Sequence, residues 1–222
     1  LAIAIFWLPN AMIRYTASVV PTASRILIGH SLLDGIRRVA GEPCNAVNGD
    51  RALVKLQRQL LEGSFQSLRV MPGGLRDATH LPGGIILLNR NLVEDSEEPD
   101  VVAGYILAED QRARQRDPLL EMLQTTGLRA ALRLLTTGEM DAASLNSYGE
   151  HLLTAEKIAL SDEALLARFQ DVGIRSSPYA YATDISGETT VELIEADPMA
   201  GQVTKTLLSD GDWIGLQQIC GE

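Results

Sequence analysis

The apolar residues of this chain change their period twice, and that change limits the possible folds more than any single motif. Residues 22–40 carry Ile26, Leu27, Leu32, Leu33, Ile36 and Val39 at helical spacing, closed by Gly41. Residues 50–62 repeat the pattern with Leu53, Leu56, Leu60 and Leu61 before Gly63. A 3.6-residue period marks one apolar helix face, and glycine just past the last turn is a natural stop. Leu68-Arg69-Val70-Met71 and Ile85-Ile86-Leu87-Leu88 are instead short β-type runs, separated by Pro-Gly-Gly and Leu-Pro-Gly-Gly turns. From Asp100 the helical period returns for roughly seventy residues. This order predicts a mostly helical α+β unit around a small antiparallel sheet. Its strands are expected near 67–71, 76–81 and 84–88, packed against a helix over 100–115.

Local signals set the expected helix ends. Asp100 is the predicted N-cap of the helix that buries Val101, Val102, Tyr105 and Ile106, and Asp117-Pro118 reads as the cap and first position of the next. Gly138 ends that helix, and a longer one is expected over 141–170 before Gly173. Ser209-Asp210-Gly211-Asp212 is a helix start, with Trp213, Leu216 and Ile219 on one face. Neither an internal repeat nor a low-complexity linker interrupts the pattern, so residues 22–222 read as a single domain.

The length of 222 residues suffices for one good core. The net charge of −10 argues against nucleic acid, whose phosphates require a basic surface. Arg14, Arg25, Arg37 and Arg38 face only Asp34 in the first forty residues, whereas the stretch after Arg175 is acidic. Both regions read as solvated faces. The apolar opening, Leu1 to Pro9, is too short to span a bilayer, which takes about 20 residues. Residues 1–21 therefore read either as the tail of a membrane anchor that begins upstream of Leu1 or as a helix that docks on the core. Cys44 and Cys220 form no C-x-x-C, which excludes a zinc ribbon or thioredoxin-type site. They are compatible with two unrelated buried thiols or with one disulfide in an oxidising compartment, and the disulfide is the expectation tested below.

Asp77-Ala78-Thr79-His80-Leu81-Pro82-Gly83-Gly84 precedes the run Ile85 to Leu92. Then come Ala108-Glu109-Asp110-Gln111-Arg112, Glu156-Lys157-Ile158-Ala159-Leu160, and Leu165-Leu166-Ala167-Arg168 before Gly173. In this order the chain resembles the HtpX and CAAX-prenyl-protease family of membrane-associated zinc metallopeptidases over about residues 20–175. The resemblance implies a zincin-like fold. It places Ala108 and Arg112 where His-Glu-x-x-His has its two metal ligands, and Glu109 where it has the general base. Glu156 falls at the third ligand, and Leu160 at the aspartate that supports the metal site. Further on, Asp197-Pro198 stands in place of a family-like His-Pro.

Two histidines at i and i+4 leave one helix face and converge on one ion. Alanine cannot bind a metal, and arginine stays protonated and repels one. The expectation is therefore a catalytically inactive, pseudopeptidase-like domain with no zinc or other cofactor, in which Glu109 is a relic base. Arg112 is expected to take the ion's place, pairing with Glu156 and secondarily with Glu109. The alternative is a zinc peptidase with migrated ligands drawn from His80, His151 and Glu156. Positions 151 and 156 are five apart on the helix expected over 141–170, so their side chains diverge, which weighs against it. No Gly-x-Ser-x-Gly elbow offers a serine hydrolase instead. The resemblance further implies a polypeptide partner along the strand edge Arg76, Asp77, Ala78, Thr79 and His80, while the expected disulfide, together with an anchor upstream of Leu1, suits a membrane-anchored, extracytoplasmic (periplasmic) setting. Charges on that strand equally serve to prevent aggregation.

Overall fold

Ile85-Ile86-Leu87-Leu88 is apolar at every position, and such a strand needs cover on both faces. In the computed structural model, which describes residues 2–61 and 66–221 with side chains from Leu8, it becomes the central strand. Strand β1 (Ser67–Met71), β2 (Ala78–Leu81) and β3 (Ile85–Asn89) form a sheet of order β1-β3-β2. β2 pairs with β3 antiparallel through the Pro82-Gly83-Gly84 turn, whereas β1 pairs with β3 parallel. The expected all-antiparallel sheet is thus corrected to a mixed one. The reason is the apolar run of β3, buried throughout, which displaces β2 from the side of β1 and takes the middle.

Helices cover both faces. α1 (Ala2–Val19) and α2 (Thr22–Ala40) precede α3 (Val47–Leu60). After the sheet come α4 (Arg90–Glu94), α5 (Pro99–Gln115), α6 (Pro118–Thr126), α7 (Leu128–Thr137), α8 (Ala142–Thr154) and α9 (Asp162–Val172). Short helices α10 (Ser177–Thr183) and α11 (Val191–Glu195) lead to α12 (Asp210–Gln217). Ile86 and Leu88 join Leu68, Val70 and Ala78 in a core with α3, α5, α9 and α12. Ile85 and Leu87 point the other way, into a core with α2, α6, α7 and α8. Ile13 and Ala17 of α1 enter the second core, so this part of α1 docks against α6 and α7. Among the described residues no helix is long and apolar enough to cross a membrane.

Several expected boundaries hold. Asp117 accepts from the Leu119 amide, with Pro118 first in α6. Gly138 and Gly173 are left-handed caps of α7 and α9, and Ser209 caps α12. Others shift. Gly63 lies outside the described residues, and Leu27 and Val39 sit on the solvent side of α2. Asp100 is not the N-cap. That place falls to Glu98, because Pro99 takes the first helical position, and Asp100 is buried in the first turn beside Arg175. Gly127 divides the helix expected from 118 to 138. The helix expected over 141–170 is two, because Ser161 caps α9 by accepting from the Ala164 amide. Residues 155–161 between α8 and α9 form a loop.

The Leu-Pro-Gly-Gly hairpin is clamped beneath α2. A Cβ on Gly29 would run into the Pro82 carbonyl, and one on Gly83 would lie 2.6 Å from the Ile26 Cα. Backbone against backbone has little room to yield, so Gly29→Ala should lower the unfolding free energy by about 1–3 kcal/mol. Gly211→Ala in α12 meets no atom within 4 Å and should raise it by up to about 1 kcal/mol. Urea denaturation of both variants checks the pair. Cys44 and Cys220 are bonded, with Cα atoms 4.8 Å apart, tying the segment between α2 and α3 to the chain after α12. The sequence separation is 176 residues. Cys44→Ser/Cys220→Ser should cost about 5 kcal/mol in the loop-closure description, measured by the same denaturation.

Candidate functional site

α5 runs across the sheet with Val102, Ala103, Ile106, Leu107 and Ala108 in the apolar core. The next two residues, Glu109 and Asp110, are carboxylates and are also buried. Each must meet a cation or hydrogen-bond donors, since an unpaired buried charge costs several kcal/mol. Successive residues on a helix point about 100° apart, so the two draw partners from different elements.

Glu109 has both oxygens occupied. Nη1 of Arg112 donates to Oε1 at 2.7 Å, Lys157 Nζ lies 3.2 Å from the same oxygen, and His80 Nδ1 lies 2.8 Å from Oε2. Burial pushes the Glu109 carboxyl up. The His80 hydrogen bond and the charges of Lys157, Arg112 and His80 outweigh that and hold it below its ordinary value. Lys157 also pairs with Asp77, and Nε of Arg112 donates to the Ile158 carbonyl at 2.9 Å. One carboxylate thereby joins α5, β2 and the α8–α9 loop. Asp110 is satisfied separately by Arg114 at 2.8 Å, Arg168 at 2.9 Å and Gln66. Through Arg168 and Arg112 the helix expected over 100–115 meets α9 and the loop before it.

The Glu109 cluster forms the floor of a cleft of about 360 Å³. One wall is the stretch from Leu75 to His80, the other the end of α8 and the loop through Ile158, with Glu121 of α6 alongside. β2 is an edge strand, and its parity is set by the Asn89 amide, which donates to the Asp77 carbonyl at 2.6 Å. Hydrogen-bonded pairs alternate along an antiparallel ladder. Thr79 and Leu81 therefore face β3, whereas Ala78 and His80 turn their main-chain groups to the open edge. The Ala78 amide is already engaged by Asp77 Oδ1 at 2.7 Å.

The expected site residues separate into two groups. Arg76, Asp77, Ala78, Thr79, His80, Glu109, Arg112 and Glu156 all line the one cleft. Ala108 does not, being fully buried in the apolar core. The expected Arg112–Glu156 pair is absent. Glu156 is not on a helix but in the loop, exposed at the cleft mouth, and Arg112 turns to Glu109 and the Ile158 carbonyl instead. The second cation on Glu109 is Lys157, the residue after Glu156. His151 lies in the last turn of α8, exposed and near Tyr148. Among the described residues no group of three His, Cys, Asp or Glu side chains is arranged to hold a metal ion.

Lys157 and the His80–Glu109 bond are the site features that the sequence reading missed. The available signal was the adjacency of Glu109 and Asp110 within an otherwise apolar helix face, which demands cations from elsewhere. Comparison of the chain with models of known protein families and with curated proteins gives no match.

The site makes stability depend on pH. A carboxyl that is harder to protonate when folded leaves the unfolded chain binding more protons in acid. The Glu109 contribution is thus present above pH 4.5, its ordinary value, and is lost as pH falls toward its lower folded value. Glu109→Gln should remove that share of the acid sensitivity, read from urea midpoints between pH 7 and 3. Arg112→Ala strips a half-buried cation from the buried Glu109 and removes the Ile158 carbonyl's donor, and should cost about 3 kcal/mol or more at pH 7.

Proposed function

We propose that this domain binds extended polypeptide along the open edge of β2 without hydrolysing it. In this reading it is a zincin-like relative of the HtpX-type peptidases in which an ion cluster occupies the catalytic position. The observation that carries the proposal is the engagement of Glu109. A glutamate acting as base in zinc hydrolysis must present its carboxylate to a water polarised by the metal. Here both oxygens are held by Arg112, Lys157 and His80. Main-chain pairing at a strand edge needs no metal, so the binding half of the ancestral chemistry survives the loss of the other half. The Cys44–Cys220 bond supports an extracytoplasmic setting as part of the same proposal.

Binding of end-capped, extended peptides is measured by fluorescence polarisation, each peptide also made with N-methyl groups at alternate residues. N-methylation removes donors from the peptide backbone and leaves the domain intact. Thr79→Pro would not serve this purpose, because the Thr79 amide faces β3 and its loss would damage the sheet. The expected result is peptide capture that weakens by about tenfold or more when the paired donors are methylated. Equal capture of both forms would refute edge pairing. Cleavage of the peptides that a chelator abolishes, with zinc found in the purified protein, would establish the migrated-ligand peptidase in its place.

A further inference from the structure

Two surfaces outside the cleft carry exposed apolar side chains and opposite charge. α1 and α7 pack side by side, and neither contains Asp or Glu. Arg14, Arg129 and Arg133 are exposed on them and form no salt bridge among the described residues. Leu8, Tyr15 and Val19 share one exposed stripe of α1, and Leu132 and Leu135 are exposed on α7. Of the acids that follow α7, Asp141 caps α8. The far end of the chain is the reverse. After Arg175 it has eight acidic residues and one base, Lys205. Between α10 and α11 the Asp184 carboxylate accepts from the amide and hydroxyl of both Ser186 and Thr189, at 2.7–2.9 Å, which fixes the loop. The loop leans on Tyr181 and Ile194, whose side-chain carbons would lie 3.3 and 2.9 Å from a Cβ on Gly187. It holds Ile185 in water, 92% exposed, with Tyr181 and Val191 also exposed. Glu188, Glu192 and Glu195 on this loop and α11 are exposed and form no salt bridge among the described residues.

We propose that these surfaces are the two halves of one head-to-tail interface, in which the Ile185 loop and its acidic flank dock on the α1–α7 face of a second copy. Within one chain they do not meet. α1 and α7 pack into the core on one side of the sheet, α10 and α11 into the core on the other. A second copy satisfies both at once, setting apolar against apolar and glutamates against arginines. An anionic bilayer would account for the basic face and leave the Ile185 loop unexplained. Because its loop is already fixed, Ile185 docks without the ordering that a mobile anchor would need. A contact between unlike patches is heterologous and continues from copy to copy. None of α1, α7, α10 and α11 lines the cleft, so each copy keeps its β2 edge open, and the inference is independent of the polypeptide reading.

Sedimentation velocity of the intact protein over a range of concentrations tests the interface. The mass should rise with concentration at low salt and return toward the monomer near 1 M salt, where charges are screened beyond roughly 3 Å. Ile185→Asp should weaken association by about tenfold or more while the urea midpoint stays unchanged, since the side chain is almost wholly exposed in the monomer. Glu188→Lys/Glu192→Lys and Arg129→Glu/Arg133→Glu should each be monomeric alone. Their equimolar mixture should associate again, because each keeps the half that the other has lost. A wild type that stays monomeric at every concentration overturns the interface, whether or not it binds phosphatidylglycerol vesicles. So does association that Ile185→Asp leaves unchanged, or a mixture of the two charge variants that stays monomeric.

Discussion

Glu109 and Asp110 are consecutive carboxylates buried in the middle of an apolar helix, and much of the arrangement around α5 serves to neutralise them. Neither can remain unpaired at a cost of several kcal/mol in a domain whose whole stability is of order ten. Because they point about 100° apart, they recruit separately. Glu109 draws His80 from β2 and Lys157 from the α8–α9 loop, and Arg112 from one turn along its own helix. Asp110 draws Arg168 from α9 and Gln66 from the approach to β1. Two adjacent charges thus pin α5 to the sheet on one side and to the later helices on the other, across elements that apolar contact alone would position less specifically.

The same neutralisation shapes the cleft. Holding Lys157 on Glu109 and Asp77 brings the loop across from β2, so the gap between them becomes a walled groove instead of an open sheet edge. The floor is polar and internally matched, while the main-chain groups of Ala78 and His80 remain directed outward. A groove of this kind suits a strand that supplies its own donors and acceptors. The charges of Glu109, Arg112, Lys157 and Asp77 are paired with one another within the protein.

Errors in the expected fold arose where a local pattern met a non-local requirement. The Pro-Gly-Gly turn after β1 suggested a hairpin, yet the strand that is apolar on both faces had to lie centrally, which made β1 and β3 parallel neighbours. Asp100 had the chemistry of a cap, but Pro99 holds the first helical position and pushes the cap back to Glu98. The stretch 141–170 kept enough apolar periodicity to read as one helix, although Ser161-Asp162-Glu163 is itself a start signal. That break moved Glu156 off a helix and gave its expected place on Arg112 to the Ile158 carbonyl.

Local chemistry alone determined most of the element inventory: the β runs, the caps at Asp117 and Ser209, the left-handed glycines at 138 and 173, and the helix that carries Glu109 and Arg112. These depend on residues within a turn or two of each other, which is the range over which backbone preference and side-chain spacing act. The tertiary structure decided the sheet order, the partners of Arg112 and of Lys157, the pairing of His80 with Glu109, and which main-chain groups of β2 turn to the open edge. The Cys44–Cys220 bond was one of two readings until the packing of α3 against α12 brought the sulfurs together. Each of these joins segments distant in sequence, and their selection is a competition among partners for buried charge and apolar cover, settled only when the whole chain is packed.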